Sequence, residues 1–363
     1  MAFDRTRNAA YAAAIRRVVT PDSVVLDLGA GLGVHGLLAA AAGARKVYLV
    51  EPEPVIHAAR EAAARNGLAD KIVLLQGRIE DIELPEKVDV IISVFTGNAL
   101  YSEDLLPSLF HARERWLKPD GHLIPDVAEL MIAPVSAPRL HAEAVASWST
   151  PHFGLDYSSL RRFAANQFYF ERRDAFKPEL LAPALALVSA DLSTANSTDC
   201  DARLSFVTSD DGECSGVMAW IRIHLGDAWL GTGPDDPPVH WTPQFLPIDP
   251  ELSVKRGGEI AFHLHRPAYG DWTWTLQAGS EKRRQSTFMA QPRSLADLRK
   301  LAPDFKGRSN ERAGAVKLAL MLLDGSRTND DIATAVREAF PRQFPDAALA
   351  SSFVRNLVAK YAD

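Results

Sequence analysis

Residues 23–28 form a short apolar run that passes directly into Gly29-Ala30-Gly31-Leu32-Gly33, and a helix-compatible stretch follows at 34–42. A buried strand that turns through three glycines into a helix is the opening of a strand–loop–helix unit. The pattern then repeats. Strands are expected at 46–50, 71–76 and 88–93. Helices are expected at 54–65, closed by Asn66-Gly67, and at 105–117, ended by Lys118-Pro119-Asp120-Gly121. Short connections and strict alternation predict an α/β fold with a doubly wound, Rossmann-like parallel sheet. An alanine-rich helix at 5–19, stopped by Pro21, precedes it.

The pattern changes near residue 125. From 126 to about 286 short alternating segments (128–133, 203–208, 216–225, 259–265 and 272–277) are punctuated by Gly, Pro, Asp and Ser. These predict a β-barrel or sandwich, interrupted by a helical piece at 158–163. The last stretch is helical again. It has an apolar-periodic segment at 311–323, a capping-box start at Thr328-Asn329-Asp330-Asp331, and a final helix opened by Pro345-Asp346. The expected domains are 1–20 (an N-terminal helix), 21–125 (the sheet), 126–290 (the β-barrel) and 291–363 (a small helical module).

A length of 363 residues allows two or three domains. A net charge of −6 argues against generic nucleic-acid binding, which needs many unpaired cations. Cys200 and Cys214 permit at most one disulfide and cannot hold zinc unaided. His263-Leu264-His265 places two imidazoles on one strand face, with no third ligand near in sequence, so no metal site is expected. Asp4, Arg5 and Arg7 interrupt any signal-peptide run, and no apolar stretch reaches the ~20 residues a membrane span needs. A cytoplasmic protein without membrane contact is expected.

Two cofactors suit the glycine loop. Gly31-Leu32-Gly33-Val34-His35-Gly36 matches the dinucleotide fingerprint G-x-G-x-x-G. Glu51, ending the second strand, suits ribose hydroxyls in either case. Asp27, just ahead of Gly29, favours S-adenosylmethionine: a carboxylate there repels a pyrophosphate but attracts an ammonium. The G-x-G-x-G spacing of Gly29, Gly31 and Gly33 agrees. A tight turn without a ligand is the bland alternative.

The run from Val24 to Gly33, with Ala42-Gly43-Ala44-Arg45-Lys46-Val47, resembles the first motif of the protein arginine methyltransferases. The likeness continues through Gly77-Arg78-Ile79-Glu80-Asp81, Lys87-Val88-Asp89-Val90, Trp116-Leu117-Lys118-Pro119-Asp120-Gly121 and Phe153-Gly154-Leu155-Asp156-Tyr157. It ends at Val239-His240-Trp241-Thr242-Pro243-Gln244, so it covers about residues 3–280. The resemblance implies a cofactor-binding sheet joined to a β-barrel that encloses the substrate. It implies that Arg7 binds the cofactor carboxylate, that Glu51 takes the ribose, that Ile79 and Glu80 meet the adenine, and that Asp4 and His240 form a pair. It also implies a homodimer through an arm at 148–163. The chain opens three residues before Asp4, without the family's tyrosine-bearing N-terminal helix, which implies a more open pocket.

One departure matters. The family grips a guanidinium with two glutamates on one loop, because paired N–H donors match bidentate carboxylates. In Ser93-Val94-Phe95-Thr96-Gly97-Asn98-Ala99-Leu100-Tyr101-Ser102-Glu103 the second acid is present as Glu103, and Val94 stands at the first. Three readings follow. The acceptor is a differently shaped group, another acid such as Asp104 is recruited, or catalysis is lost and the chain is a cofactor-binding scaffold. Methyl transfer needs an in-line lone pair and a route for the proton. Glu103 is assigned to orient the substrate, and His240 either to support the residues that touch it or to take the proton. The leading expectation is an S-adenosylmethionine-dependent N-methyltransferase of a peptide or protein. Methylation of a small metabolite is the enzymatic alternative.

The C-terminal module lies outside the resemblance. Leu320-Met321-Leu322-Leu323-Asp324-Gly325-Ser326-Arg327-Thr328 is similar to the small winged-helix domains that bind leader peptides in ribosomal-peptide pathways. Twelve basic against nine acidic residues in 291–363 is too small an excess for a phosphate footprint. A plain dimerisation or lid domain is the alternative.

Overall fold

In the computed structural model, which describes residues 2–170 and 178–362, the N-terminal half is organised around a parallel sheet. Helix α1 (Arg5–Val18) is followed by β1 (Val24–Leu28), α2 (Val34–Ala41), β2 (Lys46–Glu51), α3 (Ile56–Arg65), β3 (Ile72–Gln76), β4 (Val88–Ser93), α4 (Leu106–Trp116) and β5 (Leu117–Ile124). The strand order is β3-β2-β1-β4-β5, all parallel. All five side chains of β1 are buried, as expected for a strand covered on both faces. The expected turn at Lys118–Gly121 lies instead inside β5, where the β4–β5 register shifts between Val88 and Val90.

Beyond Pro125 the pairing becomes antiparallel. The elements are β6 (Val127–Ser136), α5 (Pro138–Ala144), α6 (Arg161–Ala164), β7 (Tyr169–Phe170), β8 (Glu179–Leu180), β9 (Leu185–Asp191), β10 (Cys200–Val207), β11 (Gly212–Leu225), β12 (Ala228–Gly231), β13 (Gln244–Val254), β14 (Glu259–Arg266), β15 (Thr273–Ala278) and β16 (Glu281–Ser286). They form a four-stranded sheet, β10-β14-β15-β16, and a seven-stranded one along β7-β13-β11-β6-β8, with β9 and β12 attached. One hydrophobic core runs from Tyr11 and Leu26 through Ile221 and Leu246 to Trp274, so the parallel sheet and the antiparallel sheets share a packed interior. Cys200 and Cys214 are both free thiols and buried.

Contacts divide the chain into Met1–Pro292 and Arg293–Asp363. The second unit holds α7 (Leu295–Lys300), α8 (Glu311–Leu322), α9 (Asn329–Ala339) and α10 (Ala347–Tyr361) around Ala315, Ala319, Ile332, Val336, Phe344 and Val354. Thr328 and Asp331 complete the expected capping box. No strand occurs among the described residues of this unit, so the β wing of a winged helix is absent. No helix of the described residues is long and apolar enough to cross a membrane.

Candidate active site

Leu28 and Ser93 are register partners in the sheet. β1 leads to β2 on one side while β4 leads to β5 on the other, so the loops after Leu28 and Ser93 leave a topological switch point together. Such a point is where open α/β sheets place ligands. The Phe95 ring packs directly on Gly29, leaving no space for a side chain there.

The glycine loop has the geometry its residues require. Gly31 and Gly33 take φ of 53° and 75°, a region that costs other residues strain. A Cβ on Gly33 would lie 2.9 Å from both Ala59 Cβ and Leu49 Cδ1, so Gly33 lets α2 close on the sheet. A Cβ on Gly31 would meet nothing within 4 Å, which marks the open side of the loop. The Gly29 and Ala30 amides donate to the Val50 carbonyl at 2.9 and 3.0 Å. The Gly31 amide donates to Glu51 Oε2 at 2.9 Å, and Glu51 Oε1 accepts from the Glu53 amide at 3.1 Å. Glu51 therefore sits beside the loop with a carboxylate half-turned to solvent. That arrangement fits a bound adenosyl group: an open glycine cradle with an acid for vicinal hydroxyls beside it.

Asp27 is fully enclosed. Its Oδ2 accepts the Gly36 amide at 2.7 Å, an interaction that caps the start of α2. Burial raises its pKa to about 7, and the nearby Glu51 charge acts in the same direction. Sequence position alone suggests an ammonium contact; the structure gives the carboxyl a backbone partner. Arg7 is 2% exposed, with its guanidinium carbon 5.2 Å from the Trp241 ring centroid. Ile79 is buried. Glu80 accepts from Ser108 Oγ at 2.5 Å and pairs with Arg78 at 3.4 Å. Burial works against its ionisation, but these partners prevail and hold its pKa below the usual range.

Asp4 and His240 do meet, although not through the imidazole. Asp4 Oδ1 accepts the Arg7 amide at 3.0 Å as the N-cap of α1, and Oδ2 accepts the His240 main-chain amide at 2.6 Å. The pair thus ties the start of α1 to the loop before β13. His240 remains largely exposed, and partial loss of hydration together with the Arg7 cation holds its pKa below that of free imidazole.

In the loop after β4, Gly97 takes φ 53° and lies under the Glu103 side chain: a Cβ there would be 2.9 Å from Glu103 Oε1. Burial raises the Glu103 pKa. Val94 packs half-buried against the core. Asp104 is not spare. Its carboxylate is ion-paired with the buried Arg266 of β14, which overturns the expectation that it could replace a missing acid. Asn98 Oδ1 accepts the Thr242 amide at 2.9 Å, a second tie between this loop and the β13 approach.

Three residues of this site carried no expectation. Arg266 had a signal, because the alternation Ile260, Phe262, Leu264 points the next alternate position inward, where a cation needs an acid. Asn98 had none. His35 is buried, stacked on Tyr11 with centroids 4.5 Å apart, and held neutral with its pKa lowered to about 4 by burial and the Arg7 charge. His263 and His265 share one acid, Asp201, at 2.7 and 3.5 Å. No group of three or more metal-ligating side chains occurs among the described residues. A 790 Å³ cavity lined by Leu140, Trp148, Leu160, Phe163, Tyr169 and Phe170 includes none of the site residues.

Residues 25–121 match the methyltransferase domain family, and residues 126–270 match the arginine methyltransferase oligomerization subdomain. The family models, the similar curated proteins and the similar solved structures together place the chain with the protein arginine methyltransferases. It is 34% identical over 292 residues to a probable histone-arginine methyltransferase CARM1 of Oryza sativa subsp. indica, covering 76% of this chain and 55% of that protein. It is 31% identical over 250 residues to protein arginine N-methyltransferase 2 of Xenopus tropicalis, covering 65% and 58%. The chain thus spans about half the length of the curated relatives it matches. Among solved structures it resembles the Trypanosoma brucei PRMT1 enzyme–prozyme heterotetrameric complex with AdoHcy, with a TM-score of 0.70, 26% identity, and coverage of 78% of this chain and 95% of that one. The arginine-methyltransferase family accounts for the order of a parallel sheet followed by antiparallel sheets. The family models end at residue 270, before the second unit begins.

Proposed function

We propose that this chain transfers a methyl group from S-adenosylmethionine to a side-chain nitrogen of a polypeptide, with the arginine guanidinium as first candidate. The observation that carries the reading is the pairing of two loops at the switch point. The open glycine loop with Glu51 leaves β1, and the loop bearing Glu103 leaves β4 beside it. S-adenosylmethionine, when bound, supplies an electrophilic methyl on a sulfonium. Arg7 would hold its carboxylate, Glu51 its ribose, and Ile79 with Glu80 its adenine. Asp27 holds the loop through Gly36. Glu103 would pair with the acceptor cation and orient one nitrogen, since a carboxylate matches two parallel N–H donors. The neutral His240 ring can accept the proton released as that nitrogen is methylated.

Oligomerisation belongs to the same reading. The matched subdomain is named for it, and Phe153 and Leu155 stand exposed on the expected arm at 148–163. We infer a homodimer. The second unit would deliver the peptide: Val316, Leu320 and Met321 line an exposed apolar strip of α8, which suits a short amphipathic segment such as a leader peptide.

The test is label partition. Methyl-labelled S-adenosylmethionine is incubated with the chain and a lysate, and the product is split by size. Label in polypeptide, lost with Glu103→Gln and His240→Ala, supports the reading. Label confined to small molecules moves the acceptor to a metabolite. Val94 favours a silent scaffold as the second reading, and cofactor binding without any transfer would select it.

A further inference from the structure

Arg266 is 1% exposed, yet no established role touches it. It ends β14 at the inward position of an otherwise apolar alternation. A buried guanidinium is costly unless it is paired with an acid and hydrogen-bonded. Here Nη1 donates to the Thr198 carbonyl at 2.9 Å and Nη2 donates to Asp104 Oδ1, while Nε is buried without a hydrogen-bond partner among the described residues. The guanidinium carbon also lies 5.7 Å from the Tyr101 ring centroid and 5.6 Å from that of Trp272. Two of these four partners, Tyr101 and Asp104, bracket Glu103 in the chain.

The bracketed segment needs holding. Leu100 and Asp104 both take left-handed backbone angles, φ 57° and 54°; aspartate enters that region readily, but a leucine is held there by its surroundings. Glu103 makes no hydrogen bond among the described residues, so nothing on its own side chain fixes it. The loop is anchored at three points instead: Asn98 on the Thr242 amide, Tyr101 against Arg266, and Asp104 on Arg266.

We propose that Arg266 is a positioning residue: through its ion pair with Asp104 it fixes the Glu103 carboxylate above Gly97, and it keeps the pocket at a single free acid. The antiparallel sheet thereby sets the geometry of a loop that belongs to the parallel sheet. With Val94 supplying no second carboxylate, acceptor orientation depends on one side chain, and that side chain depends on the clamp. The assignment of Glu103 to the acceptor rests on the function proposed above; the clamp itself does not.

The experiment uses the full chain with Asp104→Asn, which keeps the shape but removes the charge, and Asp104→Glu, which keeps the charge. Hydrogen exchange at residues 97–104 is read beside exchange in β14, and kinetics are measured with an arginine peptide. Asp104→Asn is expected to speed exchange at 97–104 at least tenfold while β14 stays protected. It is expected to raise the peptide KM about tenfold and lower kcat, with cofactor affinity unchanged. Asp104→Glu is expected to recover most of both. Wild-type exchange at 97–104 in Asp104→Asn overturns the proposal, and so does faster exchange with wild-type KM and kcat. Because a buried cation without its acid can unfold the barrel, Arg266→Lys is the second variant, expected to give the same exchange pattern at smaller amplitude. If the wild-type chain methylates no arginine peptide but exchange responds as stated, the clamp stands and the proposed function falls.

Discussion

Replacing Glu103 with glutamine isolates the charge on which acceptor binding depends. The substitution keeps the side chain's size over Gly97, where Oε1 lies 2.9 Å from the position of a Cβ, so the loop need not move. What is lost is a charge-assisted hydrogen bond to a cation, worth roughly 1.5–3 kcal/mol. That corresponds to about 10- to 150-fold in kcat/KM at 1.36 kcal/mol per tenfold. The Coulomb energy at 4 Å, about 4 kcal/mol at an effective dielectric of 20, sets an upper bound, because the site is partly open to water. The assay is initial-rate methylation of an arginine peptide, with cofactor affinity measured by calorimetry on the same variant. Affinity should be unchanged, since Glu51 and the glycine loop are untouched. The pH profile supplies a second signature. Glu103 must be ionised to hold a cation, and burial raises its pKa, so wild-type kcat/KM should fall with acid at a pH above the usual carboxylate range. The glutamine variant should lose that limb. Wild-type kcat/KM in Glu103→Gln, or an unchanged acid limb, would refute the assignment.

Three further outcomes are expected. Val94→Glu restores a second carboxylate and should raise kcat/KM for arginine peptides at least tenfold, measured in the same assay; no rise would contradict the one-acid description of the loop. Gly33→Ala should destabilise the first unit by about 1–3 kcal/mol, read from urea midpoints, because φ is 75° and the new Cβ would press on Ala59 and Leu49. Asp27→Asn should flatten the pH dependence of stability. Burial raises the folded pKa of Asp27 from 3.8 to about 7, so the folded state holds a proton that the unfolded chain releases. Wild-type stability should therefore decline as pH rises from about 4 to about 7 relative to the variant, and a constant difference across that window would contradict the burial account.

The glycine loop was legible because its constraint is local. A strand that must reverse into a helix within five residues needs left-handed backbone angles, and Gly31 and Gly33 supply them. The capping box at Thr328 was legible for the same reason. Strands with an apolar face, such as β14 and β15, announced themselves by alternation. β16, reading Glu-Lys-Arg-Arg-Gln-Ser, could not, because its place is set by pairing with β15 rather than by its own pattern. Helix α5 was hidden by its β-rich surroundings, although Pro138 stands in its first turn. At the site, the acid at the end of the second strand brought Glu51 forward, and the resemblance to the arginine methyltransferases brought Glu80, Glu103 and Asp4 forward. They could not say which atom of His240 Asp4 would hold, nor that Asp104 is committed to Arg266, 162 residues away. Those pairings depend on how the sheets close, and a linear pattern carries that only as an inward-facing arginine in an apolar strand.

The most direct test of the central claim is intact-mass analysis of a defined arginine peptide after incubation with the chain and S-adenosylmethionine, followed by fragmentation to place any gain. The account predicts a gain of whole methyl groups on an arginine side chain, which disappears with Glu103→Gln while the variant still binds cofactor. An unmodified peptide, with cofactor bound normally and Val94→Glu equally silent, would contradict it.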